Sequence, residues 1–198
     1  MISDDHGSEE LLLGMGALLA SALLLLVVFS LFRTTLPADR SVALQLSASD
    51  VSGDIATVAS SSVPFSHIEQ YRYNGISISI SSDYVCANAS SGDCFAKPLP
   101  VRVTPGRYCS DNISWNDPTE FRVFLNMTYG DDGSEQSPID SANASGLNGL
   151  LARSRLSMVA TPLVIDPTLS LIIEKQFIYF QNNSSSAKEC IPCVFVYQ

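Results

Sequence analysis

Lysine is scarce in this 198-residue chain: Lys97, Lys175 and Lys188 are the only three among 11 basic residues, against 20 carboxylates. Nucleic-acid binding begins with clustered Lys and Arg neutralising phosphates, so a net charge of -9 argues against that partner. It argues equally against docking on anionic lipid head groups. Histidine is scarcer still. His6 and His67 are far apart, and neither has a Cys or His neighbour at metal-ligand spacing. A nucleophile elbow, a phosphate-cradling glycine loop and a zincin helix are all missing. Asp131, Asp132, Gly133 and Glu135 lack the alternation of a calcium loop and read as a solvated acidic turn. The sequence therefore assigns no catalytic residue, no cofactor and no metal site, and an enzyme is not expected.

Charge is also missing from residues 11–32, LLLGMGALLASALLLLVVFSLF, a run of 22 positions. As a helix it would be about 33 Å long, against about 30 Å for a hydrocarbon core. The flank before it, MISDDHGSEE, holds four carboxylates and no Lys or Arg, unlike the positive start of a cleaved secretory signal. A retained transmembrane helix over 11–32 is expected, after an acidic flank over 1–10, with the lipid bilayer as its partner. Beyond it Leu44, Ala48, Val51, Ile55 and Val58 recur at spacings of three and four. That stripe predicts an amphipathic helix over 33–63, kinked or restarted at Pro37 and ended by Val63-Pro64.

From residue 64 to 198 the period shortens to two. Ile76, Ile78 and Ile80 alternate with serines, and Phe121, Val123, Leu125, Met127 and Tyr129 alternate with more polar positions. Strands are expected over 76–80 and 121–129, and also over 99–103, 156–165, 170–180 and 193–197. The polar, Gly-rich stretch 129–149 reads as a surface excursion with a short helix near 146–152. The expected fold class is α+β: a long N-terminal transmembrane and amphipathic helix followed by a mostly antiparallel, sandwich-like β head.

Asn-x-Ser/Thr sequons stand at Asn88, Asn112, Asn126, Asn143, Asn182 and Asn183, a density that points to a glycosylated, exported head. Cysteine usage agrees. Cys86 and Cys94 flank a turn-like ANASSGD, a spacing suited to a hairpin-closing disulfide, while Cys109 stands alone and Cys190 and Cys193 form CIPC. Pairing among the five stays open. CIPC lacks the strand-then-helix context of a redox dithiol and the second half of a zinc site. Arg33 and Arg40 follow the apolar run and weigh the other way on the positive-inside rule. The sequons and cysteines place the head outside the cell, on a single-pass anchor.

This layout, with the stretch DDHGSEELLLGMG (Asp4 to Gly16), resembles archaeal type IV pilin-like proteins and related envelope proteins. The resemblance covers about the first 62 residues in layout. It implies cleavage after a small residue, for which Gly7 is the counterpart, and a carboxylate, Glu9 or Glu10, that meets a neighbouring subunit's terminal amine. The other reading of Glu9 and Glu10 is of solvated residues favoured at a helix N-terminus. It further implies pilin-like subunits or envelope proteins as partners, in a surface filament or secretion apparatus. Two alternatives stand beside that function: a permanently anchored envelope glycoprotein whose head binds a surface partner, and a membrane-tethered thiol-redox protein using Cys190 and Cys193.

Overall fold

The computed structural model describes residues 6–110, 113–182 and 188–198. Helix α1 runs His6–Ser60 and stays helical through Pro37. The chain divides into two compact units, one ending at Ala43 and the other running from Leu44 to Gln198.

In the first unit Leu19, Leu23, Leu24, Leu25 and Leu26 are 62–69% exposed. The expected transmembrane helix is corrected here: among the described residues no helix is long and apolar enough to cross a membrane. A span takes about 20 consecutive apolar residues at about 1.5 Å each, and no described helix meets that requirement. Gly7, Glu9 and Glu10 lie on the helical backbone of α1, and their side chains are outside the described residues, as are those of Arg33 and Pro37.

The second unit begins with the last turns of α1. There follow β1 (Phe65–Glu69), β2 (Ile76–Ile80), β3 (Tyr84–Ala89), β4 (Cys94–Pro98), β5 (Val103–Pro105), β6 (Tyr108–Ser110) and β7 (Ile113–Trp115). Helix α2 (Pro118–Tyr129), β8 (Ile139–Asp140), helix α3 (Ala144–Ala160), β9 (Leu163–Val164), β10 (Leu171–Gln181) and β11 (Lys188–Tyr197) complete it. One sheet has the order β1-β10-β11-β5, with β8 beside the end of β10; a second has the order β4-β3-β2-β9; β6 and β7 pair alone. Pairing is antiparallel except for β5 on β11 and β8 on β10. The class is thus α+β with antiparallel-rich sheets.

The stripe Leu44, Ala48, Val51, Ile55 and Val58 is at most 3% exposed and forms the spine of one core cluster. Each of its larger aliphatic side chains stabilises the fold by about 1.5–3 kcal/mol through removal from water. The central strands β10 and β11 serve two cores by alternation. Leu171, Ile173, Val194 and Val196 join the stripe of α1, and Ile178, Phe180, Cys193 and Phe195 join the cluster built on α2 and α3. Burial on both faces explains the unbroken apolar run Val194-Phe195-Val196 near the chain end.

Two expected strands are helices, which corrects the sandwich-like head. Over 121–129 the alternation conceals a second period, because Phe121 and Leu125 are one turn apart and buried while Val123 and Met127 are 50% and 83% exposed. Local signals favour the helix. Asp117 Oδ1 accepts from the Glu120 N–H at 2.8 Å, Pro118 occupies the first turn, and Gly130 caps the other end at φ 84°. The first half of 156–165 belongs to α3, whose Leu147, Leu150, Leu151, Ser154 and Met158 form a helical stripe; only Leu163 and Val164 pair as a strand. The short helix expected at 146–152 falls in the first half of this longer one. Of 99–103, only Val103 is in a strand.

Candidate functional site

Two tyrosines after β1 meet two aspartates on α1. Asp50 and Asp54 are one helical turn apart, so their carboxylates leave the helix on one side. Tyr71 donates its hydroxyl hydrogen to Asp54 Oδ2 at 2.5 Å, and Tyr73 donates to Asp50 Oδ2 at 2.7 Å. The two rings stack with centroids 6.2 Å apart. Burial, reinforced by the hydrogen bond and negative charge of its aspartate, pushes each phenol well above its usual ionisation range. His67 adds a third polar group, with Nε2 at 3.8 Å from Asp54 Oδ2 and 3.9 Å from Glu69 Oε2.

Beside this ladder lies a groove of about 390 Å³, walled by Tyr71, Tyr73, Ile76, Ile78, Ile165 and Pro167. Its size and mostly apolar lining suit an apolar or aromatic side chain or a small ligand. The phenols are held neutral and donate to aspartates, so they offer ring faces and not nucleophiles. A second cavity of about 610 Å³ is bordered by Arg107, Tyr108, Cys109, Met158 and Tyr197. Tyr197 donates to Glu174 Oε2 at 2.9 Å. Asp50, Asp54, Tyr71 and Tyr73 carried no motif, and the only trace in sequence is two acids at helical spacing before two tyrosines at strand spacing.

The expected cysteine sites separate clearly. Cys86 and Cys94 lie on adjacent strands with Asn88 opposite Cys94 and Cys86 opposite Ala96, which puts both thiols on one face of the hairpin. No disulfide joins any of the five cysteines in this structure. Cys190 and Cys193 both sit in β11, three residues apart, so strand alternation sends them to opposite faces. Cys190 is exposed and Cys193 fully buried, and burial pushes the Cys193 thiol up to about 11. A thiol in that state is a poor nucleophile. Cys109 is exposed on β6.

Among the sequon asparagines, Asn126 is exposed on α2, Asn182 is exposed after β10, Asn143 precedes α3 and Asn88 is half-buried on β3. Asn112 and Asn183 lie outside the described residues. The acidic turn is engaged by its own loop: Asp131 accepts from the Ser137 hydroxyl at 2.9 Å and Asp132 from the Ser134 N–H at 2.8 Å. Among the described residues no group of three or more His, Cys, Asp or Glu could hold a metal ion. Neither a protein-family model, nor a curated protein, nor a solved structure matches this chain.

Proposed function

We propose that this protein is a pilin-like structural or assembly component of a surface filament or secretion apparatus, with its head outside the cell. The observation that carries the reading is the division of labour along α1. Its later turns are the core of the head, whereas eight large apolar residues from Met15 to Val28 are 40–69% exposed. A contiguous apolar surface of that kind marks an interaction site. Ala20, Ser21 and Ala22 are small, which favours close approach of a second helix. Like helices from other pilin-like subunits are the cover that fits this surface best. Shaving of intact cells with protease, followed by N-terminal sequencing of the surface fraction, tests the assignment. Release of head peptides and a new N-terminus after Gly7 are expected; an intact Met1 in a protein absent from every filament overturns it.

A second reading is an envelope glycoprotein whose head binds a surface partner, and the tyrosine-walled groove favours it. The two readings part at Glu9 and Glu10. Replacing both by Gln abolishes incorporation of an assembling subunit and leaves an anchored binding protein in place and working.

A further inference from the structure

We propose that Cys86 and Cys94 form the disulfide of this head, a cross-strand latch on the outer face of the β3–β4 hairpin. Val85 and Ala87 of β3 are fully buried against the core, so Cys86, between them, points to the opposite face. Cys94 opens β4 two residues before Ala96, the partner of Cys86, so the two cysteines are diagonal neighbours on the same side. The Cys86 thiol donates to Asn88 Oδ1 at 3.4 Å, and Asn88 is the residue directly opposite Cys94. Burial first, and the neighbouring Cys94 next, push the Cys86 thiol up from its usual range. Cys94 is exposed and is therefore the thiol that an oxidant meets first.

The chemistry balances as two exchanges. The Cys94 thiolate attacks a small-molecule disulfide, forming a mixed disulfide and releasing one thiol. Cys86 then attacks the Cys94 sulfur, releasing the second thiol and leaving Sγ–Sγ joined, so that two protein thiols are oxidised as one disulfide is reduced. The other three cysteines compete poorly. Cys193 is fully buried, Cys190 leaves β11 on the opposite face from Cys193, and Cys109 is on β6 of a different sheet.

The latch has a physical purpose in an edge strand. β4 is an outer strand of its sheet, held to α1 by a hydrogen bond of 3.0 Å from Lys97 Nζ to Ser49 Oγ. Joining β4 to β3 on the face opposite that contact keeps the edge from fraying and pairing with other chains. The inference deepens the exported-head reading, since an oxidising compartment is where such a pair persists.

The test uses the purified full chain and oxidised glutathione, outside any cell, so its outcome is independent of filament assembly. Thiols titratable in denaturant should fall from five to three. Peptide mapping should find Cys86 linked to Cys94, and the melting temperature should rise by about 5–10 °C. Cys94→Ser should retain a glutathione adduct or a free thiol at Cys86 and lose the thermal gain. A dominant link to Cys109 or Cys190, or stable glutathione adducts on both Cys86 and Cys94 in the unsubstituted chain, overturns the proposal. Failure of the surface-shaving experiment alone, with the link formed, would count against the exported location and leave the latch standing.

Discussion

The ammonium group of Lys175 donates to the carbonyl oxygen of Ala59 at 2.6 Å, and to that of Ser61 at 2.5 Å, across more than a hundred residues of sequence. A lysine at the middle of β10 thus caps the C-terminus of α1, where carbonyls lack helical partners and the dipole favours a cation. Lys175 is only 7% exposed, and its ammonium lies 5.1 Å from the Phe177 ring centroid. Replacing it by Met keeps the volume and removes the donor. Two part-buried carbonyls then lose their partner, and a loss of about 1–3 kcal/mol is expected in urea unfolding of the purified protein. A midpoint unchanged by Lys175→Met would show that the cap contributes nothing.

The tyrosine–aspartate ladder makes stability depend on alkaline pH. Tyr71 and Tyr73 are raised above the ordinary phenol value of 10.0 by burial and by their aspartates. A raised phenol favours the folded state while protonated. Its contribution is complete below pH 10 and is lost as pH climbs beyond it. Melting curves from pH about 8 to about 11 should therefore fall at the alkaline end. The Tyr71→Phe, Tyr73→Phe double variant should be less stable at neutral pH by about 1–2 kcal/mol and show a shallower alkaline decline. Part of the decline should survive, because Tyr197 is raised in the same direction by burial and by its bond to Glu174.

Helix α2 invites a paired truncation. Phe121 is 1% exposed and packs on Trp115 at 4.8 Å between ring centroids, so Phe121→Ala should cost about 3–5 kcal/mol. Met127, 83% exposed on the same helix, should tolerate Ala within about 0.5 kcal/mol. Equal effects at the two positions in thermal unfolding would mean that this segment buries a different face.

Gly133 is required by both its backbone and its neighbours. It stands at φ 71°, and a Cβ added there would come within 2.9 Å of Ile178 Cγ2. Gly133→Ala should destabilise by about 1–3 kcal/mol, visible as a lowered urea midpoint. Gly149, around which a Cβ meets nothing within 4 Å in the middle of α3, gives the contrast. Gly149→Ala should stabilise by about 0.5–1 kcal/mol.

How much of this was legible differs from element to element. The stripe on α1 could be read directly, since its spacings of three and four persist over four turns with no competing period. The serine–isoleucine alternation of β2 was equally plain. Residues 121–129 were not, because every second apolar residue of a strand pattern includes the i, i+4 pair of a helix. There the capping residues Asp117, Pro118, Glu120 and Gly130 were the better guide than periodicity. In α3, Gly146 and Gly149 masked a helical stripe that runs on to Met158. The aspartate–tyrosine ladder left no legible motif, since its members belong to a helix and a loop whose meeting is decided by packing.

The chain's own residues determined its acidic charge, the apolar opening of α1, the buried stripe that follows and the two-residue period of β2. Each is a local property, written by side chains within one element. Only the tertiary structure decided that β10 and β11 divide two cores, that Lys175 caps a helix formed long before it in the chain, and that Cys86 and Cys94 share a face while Cys190 and Cys193 part. Those relationships depend on strand register and on which face of a sheet is covered, and a change of one residue in register inverts every one of them.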